Sequence, residues 1–545
     1  MKHRQKTSPC TPFHTGQCLR TGFGRGCLVL VMCLAFLTGC FRPITQYDPW
    51  RVPSGDDNPA APISSATLPA ALNQPTHTPI PYETPIPRVT LTQAPAGPTP
   101  TANSPAALPT LRTESTLYTV VSGDNLAAIA MRHQVSVAQI LKVNDLEDPS
   151  LITPDQVLTI PPASANELAT AFKTVPDSEV FYGPSMVGFD VAGVIWQFNG
   201  KLQAYQEEIE DGRSLTGTQI VQEVADNFSV NPRLLLVVIE QQSGWLKGNS
   251  KAGVSESYPL GFKNTNYKGL YKQLGWAANE LTRGYTLWEN QAAAVWTLAD
   301  GEVVRIDPTI NAGTAAVQYF LGLLLGKPEW KVAVAESGLY ATYNAIFGNP
   351  FAFTYEPLLP ADLQQPELEL PLAAGDVWSY TGGPHWGWGT GSTWAALDFA
   401  PPGTEEDYGC FESQTPVVAV ADGQIVRSGN GAVVLDLDMD GSEHTGWTIL
   451  YMHIAEQDRI PAGRNVKEGD LIGYASCEGG VSTGTHFHIA RRYNGVWIAA
   501  DGDVPFILGG WVASSLGSVY DGYLTKDGQT IEAFNGRADF NQIGR

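Results

Sequence analysis

The chain has 545 residues, 43% of them hydrophobic and 10% aromatic, which is enough apolar material for about three or four domains and excludes a globally disordered polymer. Its 33 Lys and Arg stand against 55 Asp and Glu, a formal charge of −22, and a surface of that sign is repelled by a phosphate backbone, so a general nucleic-acid binder is excluded. The seven cysteines fall at positions 10, 18, 27, 33, 40, 410 and 477.

Residues 1–26 carry Lys2, Arg4, Lys6, Arg20 and Arg25 and no acid, and the apolar run from Cys27 to Leu37 is too short to span a bilayer. Together they read as a signal peptide over residues 1–39. The run ends in Leu37-Thr38-Gly39-Cys40, which resembles the lipobox of bacterial lipoproteins. That resemblance implies cleavage before Cys40, lipid on its thiol, and anchorage on the extracytoplasmic face of the cell membrane. Loss of the five N-terminal cations leaves 33 − 5 = 28 positive against 55 negative charges, or −27. With Cys40 acylated, Cys410 and Cys477 remain, and an exported protein with two thiols most simply pairs them.

Residues 40–115 are rich in Pro, Thr, Ala and Ser without periodicity, as expected of an extended linker. Residues 116–163 then change character. A short β-type run turns at Ser122-Gly123-Asp124, helical spacing follows through Leu126, Ile129 and Ala130 and again through Val137, Ile140 and Leu141, and Val157-Leu158-Thr159-Ile160 closes as a strand. With "YTVVSGDNLAAIA" and "ILKVND" in place, this βααβ outline resembles a LysM domain, which implies binding of N-acetylglucosamine-containing glycans such as peptidoglycan. His133 falls in the first helix and reads as a half-exposed histidine without a site role.

Residues 170–355 are dominated by helical signals. Ile220, Val221, Val224, Ala225 and Phe228 share one face, "RLLLVVIEQQSGWL" is apolar nearly all round and therefore buried, and "NQAAAVWTLAD" and "NAGTAAVQYFLGLLL" have the same character. The stretches "DNFSVNPRLLLVVIEQQSGWL" and "GLYATYNAIFGNP" resemble the lysozyme-like domains of lytic transglycosylases. In those, a glutamic acid before the serine protonates the glycosidic oxygen; here Gln242 precedes Ser243, and an amide cannot donate that proton. Glu240 lies two residues back, about 200° around a helix, and is a poor substitute. The domain is read as mostly α and non-catalytic. Prolines forbid a continuous helix across residues 356–374, which are read as a second linker.

Residues 375–545 are read as a β-rich domain of antiparallel strands with a C-terminal extension. Five of the nine histidines, His385, His444, His453, His486 and His488, lie there. His486 and His488 in "THFHIA" stand at i and i+2, so on a strand both project to one face, roughly 7 Å apart. Two imidazoles facing one way suit a metal ligand beside a proton carrier. The segments "GGPHWGWGTGSTWAALDFAPPG", "LYMHI" and "CEGGVSTGTHFHIA" resemble the lysostaphin-type zinc metalloendopeptidases, and in particular the β-lytic, staphylolysin-like branch. Most of that family places a ligand histidine four residues before the ligand aspartate, where this chain has Trp394. The β-lytic branch places it thirteen upstream, the spacing of His385 to Asp398.

The resemblance implies a zinc ion held by His385, Asp398 and His488, with catalytic roles for His453 and His486 and a disulfide between Cys410 and Cys477. The activity it implies is cleavage of peptide bonds in the stem or cross-bridge of peptidoglycan, with the branch's preference for bonds next to glycine. A different class, a non-catalytic peptidoglycan-binding regulator or activator of another hydrolase, shares the fold. Two further readings are local. His444 falls in the turn "DMDGSEHTGW" and is read as solvent-exposed. Asp436, Asp438 and Asp440 resemble the opening of a calcium loop, although Trp447 stands where an EF-hand places its bidentate glutamate.

Overall fold

In the computed structural model of the protein, which describes residues 105–545 apart from 122–123, 149–150, 164–166, 249 and 404–408, Thr116–Thr119 (β1) pairs antiparallel with Val157–Ile160 (β2). Between them run Leu126–Arg132 (α1) and Val137–Val143 (α2). Ser136 starts α2 because its hydroxyl accepts from Gln139 N while the Gln139 side chain accepts from Ser136 N, a reciprocal capping box. Leu126, Ile129, Val135, Ile140, Leu158 and Ile160 fill the small core. His133 sits one residue beyond α1, edge-on to Tyr118. The signal peptide, Cys40 and the linker as far as residue 104 lie outside the described residues. The last part of that linker is no free spacer: Leu111 packs on the core, and the Arg112 guanidinium donates to the carbonyls of Ile160 and Pro161.

The middle domain is helical. Gly217–Phe228 (α3) begins at a capping box of Thr216 and Gln219, and Pro232–Ser243 (α4) begins with Asn231 as cap and Pro232 in the first turn, where its missing N–H costs nothing. Leu234 to Ile239 are completely buried, as the all-round apolar pattern requires. Leu270–Glu289 (α5) is the longest described helix, and Ala312–Leu324 (α6) packs along it. The sequence hides α5 because its buried face includes the polar Gln273, Asn279 and Glu280, so no clean apolar stripe marks it. The helix expected over "NQAAAVWTLAD" does not form. Val295–Thr297 pairs instead with Val303–Arg305, since the Val-Trp-Thr run favours a strand and Gly301, at φ +82°, makes the turn. Residues 356–374 are also more than a linker: Leu368, Leu370 and Leu372 are buried in the core of the next domain, and Glu369 N donates to Val420 O.

The C-terminal domain is built on a nine-stranded antiparallel sheet. Its strands include Val377–His385 (β3), Ala396–Ala400 (β4), Gly423–Gly429 (β5), Ala432–Asp436 (β6), Trp447–Met452 (β7), Asn465–Val466 (β8), Phe487–Tyr493 (β9) and Gln542–Gly544 (β10), in the spatial order β8-β5-β6-β7-β9-β4-β3-β10. Leu397, Phe399, Leu435, Ile449, Tyr451, Phe487 and Ile489 bury one face. The C-terminal extension supplies β10 beside β3 and a separate four-stranded sheet from Ile507 to Glu532.

The helical and C-terminal domains share a buried boundary. The Asn494-Gly495 hairpin after β9 presses into the helical domain: Ser229 Oγ donates to Gly495 O at 2.6 Å, and a Cβ at Gly495 would lie 2.2 Å from Tyr182 O. Arg427 reaches Asn227 Oδ1 at 2.9 Å and, with Arg492, holds Glu443. Against the cost of its burial, those two guanidiniums bring the Glu443 carboxyl down to about 2. His444, expected in an exposed turn, instead lies flat on Tyr182 with ring centroids 3.5 Å apart, and burial pushes its pKa down to about 4. The turn is covered because the helical domain sits on it, which no local pattern reveals.

Candidate metal centre

Adjacent strands bring the C-terminal histidines together. On β4, Asp398 is directly opposite His488 of β9 on one side and Gly382 of β3 on the other. The ladder between β3 and β4 slips twice, between Tyr380 and Gly382 and between Gly382 and His385, and these irregularities re-aim His385 toward Asp398. Gly382 must be glycine, since a Cβ there would meet the Asp398 carboxylate at 2.7 Å. His453 follows β7 directly, in a left-handed conformation at φ +61°, a strain that non-glycine residues hold chiefly where a site needs it. His486 immediately precedes β9 and bridges to Ser476.

The donor atoms of three side chains form a near-equilateral triangle: His385 Nε2 to His488 Nδ1 is 3.0 Å, His385 Nε2 to Asp398 Oδ1 is 3.2 Å, and His488 Nδ1 to Asp398 Oδ1 is 3.3 Å. A tetrahedral ion with ligands at about 2.0–2.1 Å requires an edge of about 3.3 Å. The tautomers agree with that use. His385 Nδ1 donates to Gly383 O at 2.8 Å and His488 Nε2 to Gly387 O at 3.1 Å, which leaves a lone pair on the opposite nitrogen of each ring facing the triangle. Asp398 Oδ1 is buried and has no hydrogen-bond donor among the described residues. Burial alone would raise the Asp398 carboxyl, but the imidazoles of His385 and His486 hold it well below the usual carboxylate range. The residues therefore fit a tetrahedral zinc ion with one open position, as one carboxylate and two neutral imidazoles should.

His453 and His486 stand beside this triangle, their rings 4.6 Å apart. They follow the same anchoring rule: His453 Nδ1 donates to Glu478 O and His486 Nδ1 to Gly484 O, both at 2.8 Å, so each Nε2 is left for chemistry. His486 Nε2 lies 3.8 Å from Asp398 Oδ2. Burial, then the neighbouring His486 and His488, push the His453 imidazole down to about 3, so it is neutral in ordinary solution.

Cys410 and Cys477 form a disulfide beside this pair. Thr485 N donates to Gly409 O at 2.9 Å and Phe411 N to Thr485 Oγ1 at 2.7 Å, so the Cys410 segment holds the residue before His486, while Cys477 adjoins Glu478, whose carbonyl anchors His453. Its cysteines are 67 residues apart, and closing such a loop stabilises by about 4 kcal/mol in the chain-entropy model. Replacing both cysteines with serine is expected to lower unfolding stability by up to that amount in denaturant titration; an unchanged midpoint would contradict the bracing role.

The other acidic cluster is different. Asp436 Oδ1 accepts from the backbone N–H of Asp438 and Met439, and Oδ2 accepts from Gly441, so the buried carboxylate organises a hairpin tip. Asp436, Asp438 and Asp440 do come within reach of one another, but Asp438 and Asp440 are exposed and acidic groups of that kind are common without an ion, so calcium finds no support here. Sequence reasoning missed Tyr520, whose ring stacks on His385 at 4.3 Å and whose backbone carbonyl accepts from Gly383 N. It lies in the extension, 122 residues beyond Asp398 (520 − 398), with no motif to mark it.

An antiparallel sheet carrying a His-Asp-His donor triangle flanked by two backbone-anchored imidazoles defines a zinc metallopeptidase domain. Residues 407–500, within the C-terminal domain, match the model of Peptidase family M23. Residues 118–161 match the LysM domain, and residues 173–361, the helical region, match the N-terminal domain of LasA. Among curated proteins the chain is similar to Protease LasA of Pseudomonas aeruginosa, 29% identical over 301 residues, or 50% of this chain. The match spans 66% of that relative's length. It is similar also to the Beta-lytic metalloendopeptidase of Lysobacter enzymogenes, 29% identical over 176 residues, covering 30% of this chain and 90% of the relative. Among solved structures, the M23 metalloprotease pseudoalterin from the deep sea is 23% identical, with 33% of this chain and 99% of that one covered, at a TM-score of 0.27.

Proposed function

We propose that the chain is an exported, lipid-anchored peptidoglycan hydrolase that cuts peptide bonds of the stem or cross-bridge, held to its substrate by the LysM domain. The observation that carries this reading is the donor triangle of His385, Asp398 and His488 with His453 and His486 beside it. Zinc bound there supplies Lewis acidity to the scissile carbonyl and lowers the pKa of a water molecule. His453 and His486, fixed through their Nδ1–H groups, present Nε2 to take the proton from that water and return it to the leaving amine, or to donate toward the developing oxyanion. Asp398 and the two ligand imidazoles hold the charge in place.

The lipobox supports anchorage through Cys40 at the outer face of the cell membrane, and the LysM match supports binding to N-acetylglucosamine-containing glycan. Tethering raises the local concentration of peptide bonds around the domain. Bonds next to glycine are proposed as the preferred ones on the resemblance to the β-lytic branch. The helical domain is given no glycan chemistry: Glu240 uses Oε2 to accept from the backbone N–H of Leu246 and Lys247, so it organises the turn after α4.

Digestion of purified peptidoglycan followed by mass spectrometry tests the proposal. The expected products carry new amino termini. New reducing ends or anhydromuramyl ends would transfer the activity to the helical domain, and a zinc-loaded protein that binds peptidoglycan yet releases no peptide would favour the regulator.

A further inference from the structure

We infer that Asn279 and Arg283, on α5 of the helical domain, are positioning residues for the metal centre of the peptidase domain, acting through the loop between β3 and β4. This rests on reading His385, Asp398 and His488 as metal donors. The loop leaves His385 and returns to Asp398 through Trp386 to Ala395, so it joins two of the three donors. The third donor depends on it as well, because Gly387 O is the acceptor that fixes the His488 ring.

The loop's own internal bonds join Gly387 N to Thr393 O at 3.2 Å, Trp388 N to Ser392 Oγ at 3.2 Å, Ser392 N and Oγ to Gly389 O at 3.4 and 3.1 Å, and Ala395 N to Thr393 O at 2.8 Å. Its outer end is held by the other domain. Gly391 N donates to the buried Asn279 Oδ1 at 2.6 Å, and Arg283 Nη2 donates to Thr390 Oγ1 at 2.8 Å. The approach is closer than any side chain permits, since a Cβ on Gly391 would stand 1.9 Å from Asn279 O and one on Gly389 would stand 2.7 Å from the Phe228 ring. Glu280 holds both residues in turn, accepting from Asn279 Nδ2 at 2.8 Å and from Arg283 Nε at 3.0 Å. Underneath, Trp497 packs against Gly387, where a Cβ would lie 2.4 Å from its ring, and its Nε1 donates to Phe228 O at 3.4 Å. The tip of the loop is therefore set by α3 and α5 and its base by the peptidase domain, where Ala500 N donates to Trp394 O at 2.7 Å, so the docked helical domain acts on the aim of the Gly387 carbonyl through the tip.

The test uses the full chain. Asn279→Ala, Arg283→Gln and Gly391→Ala are compared with wild type for zinc affinity, by competition with a chelating indicator, and for the visible spectrum of the cobalt-substituted protein. Partners outside the direct ligands carry about 10–100-fold in metal affinity or activity, and these residues act one step further out. About 10-fold weaker zinc binding and an altered cobalt spectrum are expected for Asn279→Ala and Gly391→Ala, with a smaller change for Arg283→Gln. Far-UV circular dichroism and the melting temperature identify any variant that has simply unfolded, and Arg283→Gln, the mildest change, keeps the comparison open in that event. Folded variants with wild-type zinc affinity and an unchanged cobalt spectrum overturn the inference alone. A wild-type chain that takes up no zinc overturns the reading of the metal centre, and this inference with it.

Discussion

Asp398→Ala is expected to abolish stoichiometric zinc binding and with it peptide hydrolysis, while the sheet remains folded. Asp398 is the single carboxylate of the donor triangle and lies opposite both His488 and Gly382, so its removal takes away one ligand and the charge that balances the others. Zinc sites with four protein ligands bind with about 10–16 kcal/mol, so one ligand is worth about 3 kcal/mol, a loss of roughly 100-fold in affinity. In the metal-free protein the imidazoles of His385 and His486 stabilise the Asp398 carboxylate, so the metal-free variant should melt somewhat below metal-free wild type while still folding. Elemental analysis of the dialysed variant against wild type, with thermal unfolding of both apo forms, checks the two halves of the result. One zinc per chain retained by the variant would remove Asp398 from the ligand set.

His486→Ala should give the opposite combination, with zinc retained and turnover lost. Its Nε2 lies 3.8 Å from Asp398 Oδ2 and outside the triangle, so the metal does not need it. Its Nδ1 is engaged with Gly484 O, which leaves Nε2 as the free group beside the open coordination position. A positioned general acid or base contributes about 10²–10⁴-fold, and kcat should fall by that factor with KM nearly constant. His453→Ala belongs to the same class, since Glu478 O fixes that ring in the same way and the two rings are 4.6 Å apart. The double variant should then lose much less than the product of the two single losses, as expected of groups that act as a unit. Release of peptides from peptidoglycan at the wild-type rate by zinc-loaded His486→Ala would sink the catalytic assignment.

Much of this protein is legible residue by residue. The one-faced apolar run of α3, the all-round apolar runs of α4 and α6, and the i, i+2 placement of His486 and His488 are all local patterns, and each marks its element in the structure. The pairing of Cys410 with Cys477 followed from counting thiols. Other elements resisted for physical reasons. In α5, buried Gln273, Asn279 and Glu280 interrupt the apolar stripe, because that helix uses polar groups to hold loops and neighbours. The run at 295–297 pairs as a strand although the preceding Ala292 to Ala294 suggest a helix, because Val-Trp-Thr itself favours a strand.

Sequence by itself determined the LysM and peptidase domains, through motifs that resemble those families, and the inventory of donor groups; for the middle region it determined helical character but not the lysozyme-like type, since that region matches the N-terminal domain of LasA. Only the tertiary structure decided how those groups are aimed. The slips in β3 turn His385, the carbonyls of Gly383, Gly387, Glu478 and Gly484 select which nitrogen each imidazole presents, and the burial of His444 depends on a domain more than two hundred residues upstream. Each of these depends on a backbone group or ring being brought to within about 3–4 Å by chain folding, and no local pattern encodes which distant carbonyl will meet which ring.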